Sequence, residues 1–87
     1  MGARDNFIAG LQRMNDSFIR DNIYMVGKPL LARALKTIEP QYQDKVLRNM
    51  TNEGAEDVRR LMADLNISTE DAEAAQRDII SMAQGYI

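Results

Sequence analysis

A chain of 87 residues allows one domain with a thin core, because at this size only about 60–65% of the surface exposed by the unfolded chain is buried on folding. With 45% apolar and 28% charged residues the chain is too apolar for intrinsic disorder, and with neither cysteine nor histidine it can hold no disulfide framework, thiolate metal site or His-based nucleophile system. The net charge is only −2, yet residues 1–50 hold eight bases against five acids (+3) and residues 51–87 three against eight (−5), a split that favours contact between copies or with a charged partner unless it averages out over the surface.

The first element is expected to be an amphipathic helix from about Asp5 to Arg20. Phe7, Leu11, Met14 and Phe18 are spaced four, three and four, and Ile8 and Ile19 widen the apolar face. Gly10 weakens it by up to about 1 kcal/mol relative to alanine. Its polar face mixes Arg13 and Arg20 with Asp5 and Asp16, so it suits protein better than a membrane surface. It either completes its own core or packs on a second copy through Phe7, Leu11, Met14 and Phe18. Charges at Arg4 and Asp5 stand where a signal peptide needs an apolar core, and no apolar run approaches the roughly 20 residues of a membrane span. A cytoplasmic location, with no integral membrane segment, is expected.

The piece DNIYMVG, residues 21–27, is ambiguous in type and ends in a breaker. Pro29 then suits the first position of a short buried helix with Leu30, Leu31, Ala34, Leu35 and Ile38 inward. The Gly27–Lys28 pair is not a phosphate loop, since the upstream glycine is missing. Pro40 opens the next helix, which runs to about Met50 with Tyr42, Val46, Leu47 and Met50 inward. Thr51 or Asn52 caps a charged helix that ends at Asn66–Ile67. On it Ala55, Val58, Leu61, Met62 and Leu65 share one face, while Glu53, Asp57, Arg60 and Asp64 repeat at four, three and four on another. Ser68, followed three residues on by Asp71, is a weak capping box for a last helix from about Thr69, with Ala72, Ala75, Ile79, Ala83 and Tyr86 on its inner face.

These residues support little chemistry of their own. Ser17, Ser68 and Ser81 have no histidine to act as base, and the carboxylates lie on solvated helical faces. The pairs Arg33 with Lys36 and Arg59 with Arg60 are too sparse and too interleaved with acids for nucleic acid. No enzyme activity, cofactor or metal is expected. What remains is recognition of protein by protein.

Three pieces in order, PLLARALK, KVLRNMT and AEAAQRDI, together with the charged helix between the last two, resemble the C-terminal helical domain of the flagellar motor switch protein FliG. That family has an L-A-L-A-L-K segment, a K-[VI]-[LF]-x-N-M-S helix end and a V-x-x-A-Q-x-x-I helix. Here these correspond to Leu30–Lys36, Lys45–Thr51 and Ala72–Ile79, and the resemblance covers roughly residues 23–83. It implies an all-α fold, a small armadillo-like right-handed bundle of five or six helices over residues 1–87. It also implies a charged helix, here Asn52–Leu65, facing a cytoplasmic loop of the stator protein MotA. Contacts between exposed charges are each worth about 0–1 kcal/mol and are screened by salt, which suits contacts made and broken repeatedly.

The chain departs from the family in its charges. Glu53 stands where a basic residue commonly follows the N-M-S turn, and Arg60 and Leu61 stand where two adjacent acids are common; Arg59 alone keeps the expected sign. The resemblance would also place N-terminal and middle domains outside this chain, so a complete motor switch protein is not expected. The expected partner face is Glu53, Asp57, Arg59, Arg60 and Asp64, meeting a stator-like or rotor protein with a charged face. The alternative is a structural self-assembly unit forming homo-oligomers through Phe7, Leu11, Met14 and Phe18 and the oppositely charged halves.

Overall fold

The segment richest in leucine and alanine, KPLLARAL, becomes the centre of the molecule. The computed structural model describes residues 2–84. In chain order they form α1 (Ala3–Arg13), α2 (Asp16–Asn22), a 3-10 turn η1 (Ile23–Met25), α3 (Lys28–Leu35), α4 (Pro40–Leu47), α5 (Asn52–Asp64) and α6 (Thr69–Gln84). The fold class is all-α. Tyr86, expected on the inner face of the last helix, lies outside the described residues.

On α3, Leu31, Ala32, Ala34 and Leu35 are each at most 1% exposed, so the helix is covered on nearly every side and only Arg33 among its last five residues reaches solvent. It packs against α5 and α6, and α1 closes over α6 and α4. The small side chains of Ala32 and Ala34, and of Ala55, Ala72 and Ala75 on the neighbouring helices, let the backbones approach. Phe7, Leu11, Ile19, Ile23, Val46, Leu47, Val58 and Met62 fill the space between them. Complete burial of a leucine or valine stabilises by about 1.5–3 kcal/mol, so a short helix carrying two inaccessible leucines contributes heavily to a thin core.

Helix α3 ends in the interior, where its last carbonyls need partners. The helix's own C-cap supplies one and two other segments supply the rest. The Lys36 N–H donates to Ala32 O at 3.0 Å, Gln43 Nε2 from α4 donates to Leu35 O at 2.7 Å, and Gln76 Nε2 from α6 donates to Ala34 O at 3.1 Å. Gln76 is fully buried, and its amide nitrogen also lies 3.4 Å from Thr37 Oγ1. Its Oε1 has no hydrogen-bond partner among the described residues.

The single helix expected from Asp5 to Arg20 is corrected by the structure: the chain breaks into α1 and α2 at Met14–Asn15. Met14 takes an extended conformation, and the Asn15 side chain accepts the Phe18 N–H at 2.8 Å, capping α2. Periodicity across residues 7–18 is preserved through this break, which is why spacing alone reads it as continuous; asparagine is a far better cap than interior helix residue. Phe7 and Leu11 lie in the core, Met14 packs against it half-buried, and Phe18 is 36% exposed. Pro29 takes the second rather than the first helical position, after Lys28. Helix α4 closes at Leu47, three residues before the expected end. In the turn that follows, Asn49 is buried and donates to Lys45 O at 2.7 Å and to Asp16 Oδ1 at 3.3 Å.

Gly10 remains in α1 although a Cβ added there meets nothing within 4 Å. Gly10→Ala is therefore expected to stabilise the fold by about 0.5–1 kcal/mol through helix propensity, measured as a higher midpoint in urea unfolding. A lower midpoint would mean that α1 is not helical at residue 10.

Candidate functional site

Helix α5 forms where the expected cap stands. The Thr51 hydroxyl accepts the Gly54 N–H at 3.0 Å, satisfying one orphan donor, and Glu53 in the first turn opposes the positive end of the dipole. Buried Gly54, Ala55, Val58 and Met62 face the core. Glu53, Glu56, Arg59, Arg60 and Asp64 are exposed, and Asp57 is intermediate. The helix thus carries the expected charges along its outer side.

The charges are not equivalent. Asp57 Oδ2 lies 2.7 Å from Lys28 Nζ, at the start of α3. Arg60 reaches Asp57 Oδ1 at 3.6 Å and Glu56 Oε1 at 3.8 Å. Glu53, Arg59 and Asp64 have no ion-pair partner among the described residues. Asp64 also sits in the last turn of α5, which carries no basic residue of its own, at the end of the dipole that favours a cation. Lys36 meets part of that need from outside, donating to Met62 O at 2.7 Å.

Two residues absent from the sequence-based site join it. Lys28 is one. The other is Tyr24, whose hydroxyl accepts the Thr51 N–H at 2.9 Å while the residue stays 56% exposed. That hydrogen bond holds the phenol below its ordinary value of 10.0. Both lie 27–29 residues before their partners, beyond any helical period, and no local pattern signals the pairing.

The Lys28–Asp57 contact predicts a pH signature. Its hydrogen bond, followed by the nearby positive charges, holds the Asp57 carboxyl below its ordinary 3.8, and the same bond raises Lys28 above 10.5. A depressed carboxylate contributes stability above its unfolded pKa that is lost as pH falls through the folded one; a raised amine contributes below its unfolded pKa and loses it as pH rises through the folded one. Asp57→Asn should therefore lie below wild type by a constant margin from about pH 5 to 9, narrowing below about pH 3.8 and above about pH 10.5. Urea unfolding across pH measures it. A margin unchanged at about pH 2.5 would show that the ion pair is not its source.

The other end of the predicted asymmetry is consumed within the fold. Arg48 Nη2 pairs with Asp16 at 3.0 Å, Arg20 donates to Asn49 Oδ1 at 3.3 Å, Arg4 pairs with Glu39 and Lys28 with Asp57. Hydrogen bonds from Arg48 and then Asn49 hold Asp16 below its ordinary value. Three of the eight bases of residues 1–50 therefore pair with acids of their own molecule, and among the described residues Lys28 alone of them reaches an acid of residues 51–87.

The family model of the FliG C-terminal domain matches residues 7–87. The chain belongs to the FliG C-terminal domain family. Neither the curated proteins nor the solved structures include a match. The three FliG-like pieces fall on α3, on the end of α4 with its turn, and on α6. Their buried members, Leu31, Leu35, Val46, Asn49, Ala72 and Gln76, hold helices together. The FliG domain is a motor component, and the positions that make this chain FliG-like are mainly those that build its fold.

Among the described residues no group of three or more acidic side chains is placed to hold a metal ion, and no helix is long and apolar enough to cross a membrane.

Proposed function

We propose that the chain is a non-enzymatic interaction module of the flagellar rotor type that meets a charged protein partner through the outer face of α5. The observation that carries the reading is the set of exposed charges on one well-capped helix, Glu53, Arg59 and Asp64 having no ion-pair partner among the described residues. Asp64 strengthens it, because an acid in the last turn of a helix is a local cost that the fold does not need. The partner class follows from the family: a stator or rotor protein presenting a charged cytoplasmic segment. Arg60, tethered between Glu56 and Asp57, and Arg59 beside it supply the cations of the face.

The test is titration of the protein with the cytoplasmic segment of a flagellar stator subunit from the same source, at about 0.05 M and 0.5 M salt. Binding that weakens at least tenfold at the higher salt is expected, since screening acts on exposed pairs. Binding unaffected by salt would count against a charge-based contact.

A second reading is self-association. Phe18 is the member of the N-terminal set that reaches the surface, and it borders an apolar groove of about 570 Å³ between α1, α2 and α6, lined also by Met14, Ile79 and Ile80. Solution mass by light scattering over a hundredfold concentration range decides it: a mass that rises and falls back in Phe18→Asp supports it, and a constant monomer removes it.

A further inference from the structure

We propose that the partner surface continues from α5 onto η1 and the first turn of α3, where Tyr24 is an aromatic anchor and Lys28 offsets one acid of the charge pattern a partner meets. The inference rests on the reading of α5 as a partner-facing helix and adds the chemistry of what fits it. The occupant is a helical segment of another protein presenting basic, acidic and again basic side chains in line, with an apolar side chain at the end that meets Tyr24.

Charge order comes first. The outer side of α5 holds four acids, Glu53, Glu56, Asp57 and Asp64, and two bases, Arg59 and Arg60. Lys28 Nζ, 2.7 Å from Asp57 Oδ2, neutralises the acid nearest the bases. What a partner meets is acid at Glu53 and, shared with Arg60 at 3.8 Å, at Glu56, base at Arg59 and Arg60, and acid at Asp64. From Glu53 to Asp64 this pattern spans about 16 Å at 1.5 Å per residue, a length that three turns of a facing helix cover. A partner with the complementary order gains at each zone, whereas one with the same order juxtaposes like charges throughout.

An acid–base–acid order is nearly symmetric and would accept a partner in either direction. Tyr24 removes the symmetry. Of the three exposed large apolar side chains among the described residues, Phe18, Tyr24 and Met25, two are consecutive in η1. The hydrogen bond from the Thr51 N–H holds the Tyr24 hydroxyl at the Glu53 end of α5. A large ring already fixed in place loses little freedom when covered, which is the property of interface anchors.

The experiment uses the full chain, labelled with ¹⁵N, and two synthetic helix-forming peptides of identical composition. One presents Lys pairs, a Glu pair and Lys pairs in the matching order with a leucine at one end; the other has the charges shuffled. The matched peptide is expected to move the amide signals of α5 together with those of Tyr24 and Met25, and to bind at least threefold more tightly than the shuffled one. Tyr24→Ala should weaken it at least threefold and Tyr24→Phe, which keeps the ring, by less than twofold. Lys28→Met should strengthen binding of an all-lysine peptide at least threefold by releasing Asp57. If Tyr24→Ala does not fold, the Tyr24 and Met25 signals of wild type carry the decision. Movement of α5 with Tyr24 and Met25 unmoved overturns the proposal and leaves the α5 reading standing. Equal binding of both peptides overturns the charge order. No movement of α5 with either peptide overturns both readings.

Discussion

Gln76→Ala is expected to lower the unfolding free energy by about 2–4 kcal/mol, which is a large share of the roughly 4–13 kcal/mol available to a domain of this length. Two losses combine. Gln76 is fully buried, so truncation leaves a cavity between α6 and α3. It also withdraws the donor from Ala34 O, leaving a carbonyl near the buried end of α3 unsatisfied at a cost of about 1–3 kcal/mol. Gln76→Leu separates the two, because it restores most of the volume without the donor. It should cost less, about 1–2 kcal/mol, the difference reporting the cavity and the remainder the carbonyl. Urea unfolding of both variants measures this, and a loss below about 0.5 kcal/mol in Gln76→Ala would show that α6 does not cap α3 through this side chain.

The second large effect is on binding. Reversing the two charges together, Arg60→Glu with Asp64→Lys, should weaken capture of a charged partner at least tenfold while leaving the fold as stable as before. The reversed pair keeps an i,i+4 relation between opposite charges, now with the acid first, and it places a cation on the last turn of α5; both changes favour the helix and offset the like-charge contact of the new acid with Glu56 and Asp57 one turn earlier. The ion pairs that Arg60 gives up, with Glu56 at 3.8 Å and Asp57 at 3.6 Å, lie on the surface and hold little stability. Reduced binding in a variant that melts at or above the wild-type temperature can only come from the face itself. Undiminished binding would place the partner elsewhere.

The parts of this fold that could be read in the sequence are those where local chemistry and helical period agree. Thr51 and Ser68 cap the helices they precede, with the Ser68 hydroxyl accepting the Asp71 N–H at 3.1 Å. Leu31, Ala34 and Leu35 of α3 and Ala55, Val58 and Met62 of α5 are buried as their apolar spacing implies, whereas Leu30, Leu61 and Leu65 are half-buried and Ala32 is buried outside that spacing. The Met14–Asn15 break was hidden because the apolar period runs through it, and only the cap on Phe18 reveals it. Gln76 lay in a recognised motif without a role, since its partner carbonyl is 42 residues away. The charged face was legible as a stripe, but which of its charges are paired was not. The pairing of Asp57 depends on Lys28, whose reach to it is set by how α3 packs against α5.

This dependence on tertiary structure explains why the family's shared positions and this chain's charges tell different stories. Leu31, Leu35, Val46 and Gln76 are constrained by neighbours on several helices. Glu53, Arg59 and Asp64 are exposed, so a change of their signs costs the fold little beyond the helix-dipole contribution of Glu53.

The most direct test of the α5 face is amide chemical-shift mapping of the ¹⁵N-labelled protein with the stator segment at low salt. Perturbations are expected along Glu53–Asp64, fading as salt is raised and absent in the Arg60→Glu, Asp64→Lys variant. Perturbations centred on Phe18, Ile79 and Ile80, persisting in salt and in that variant, would contradict a partner face on α5.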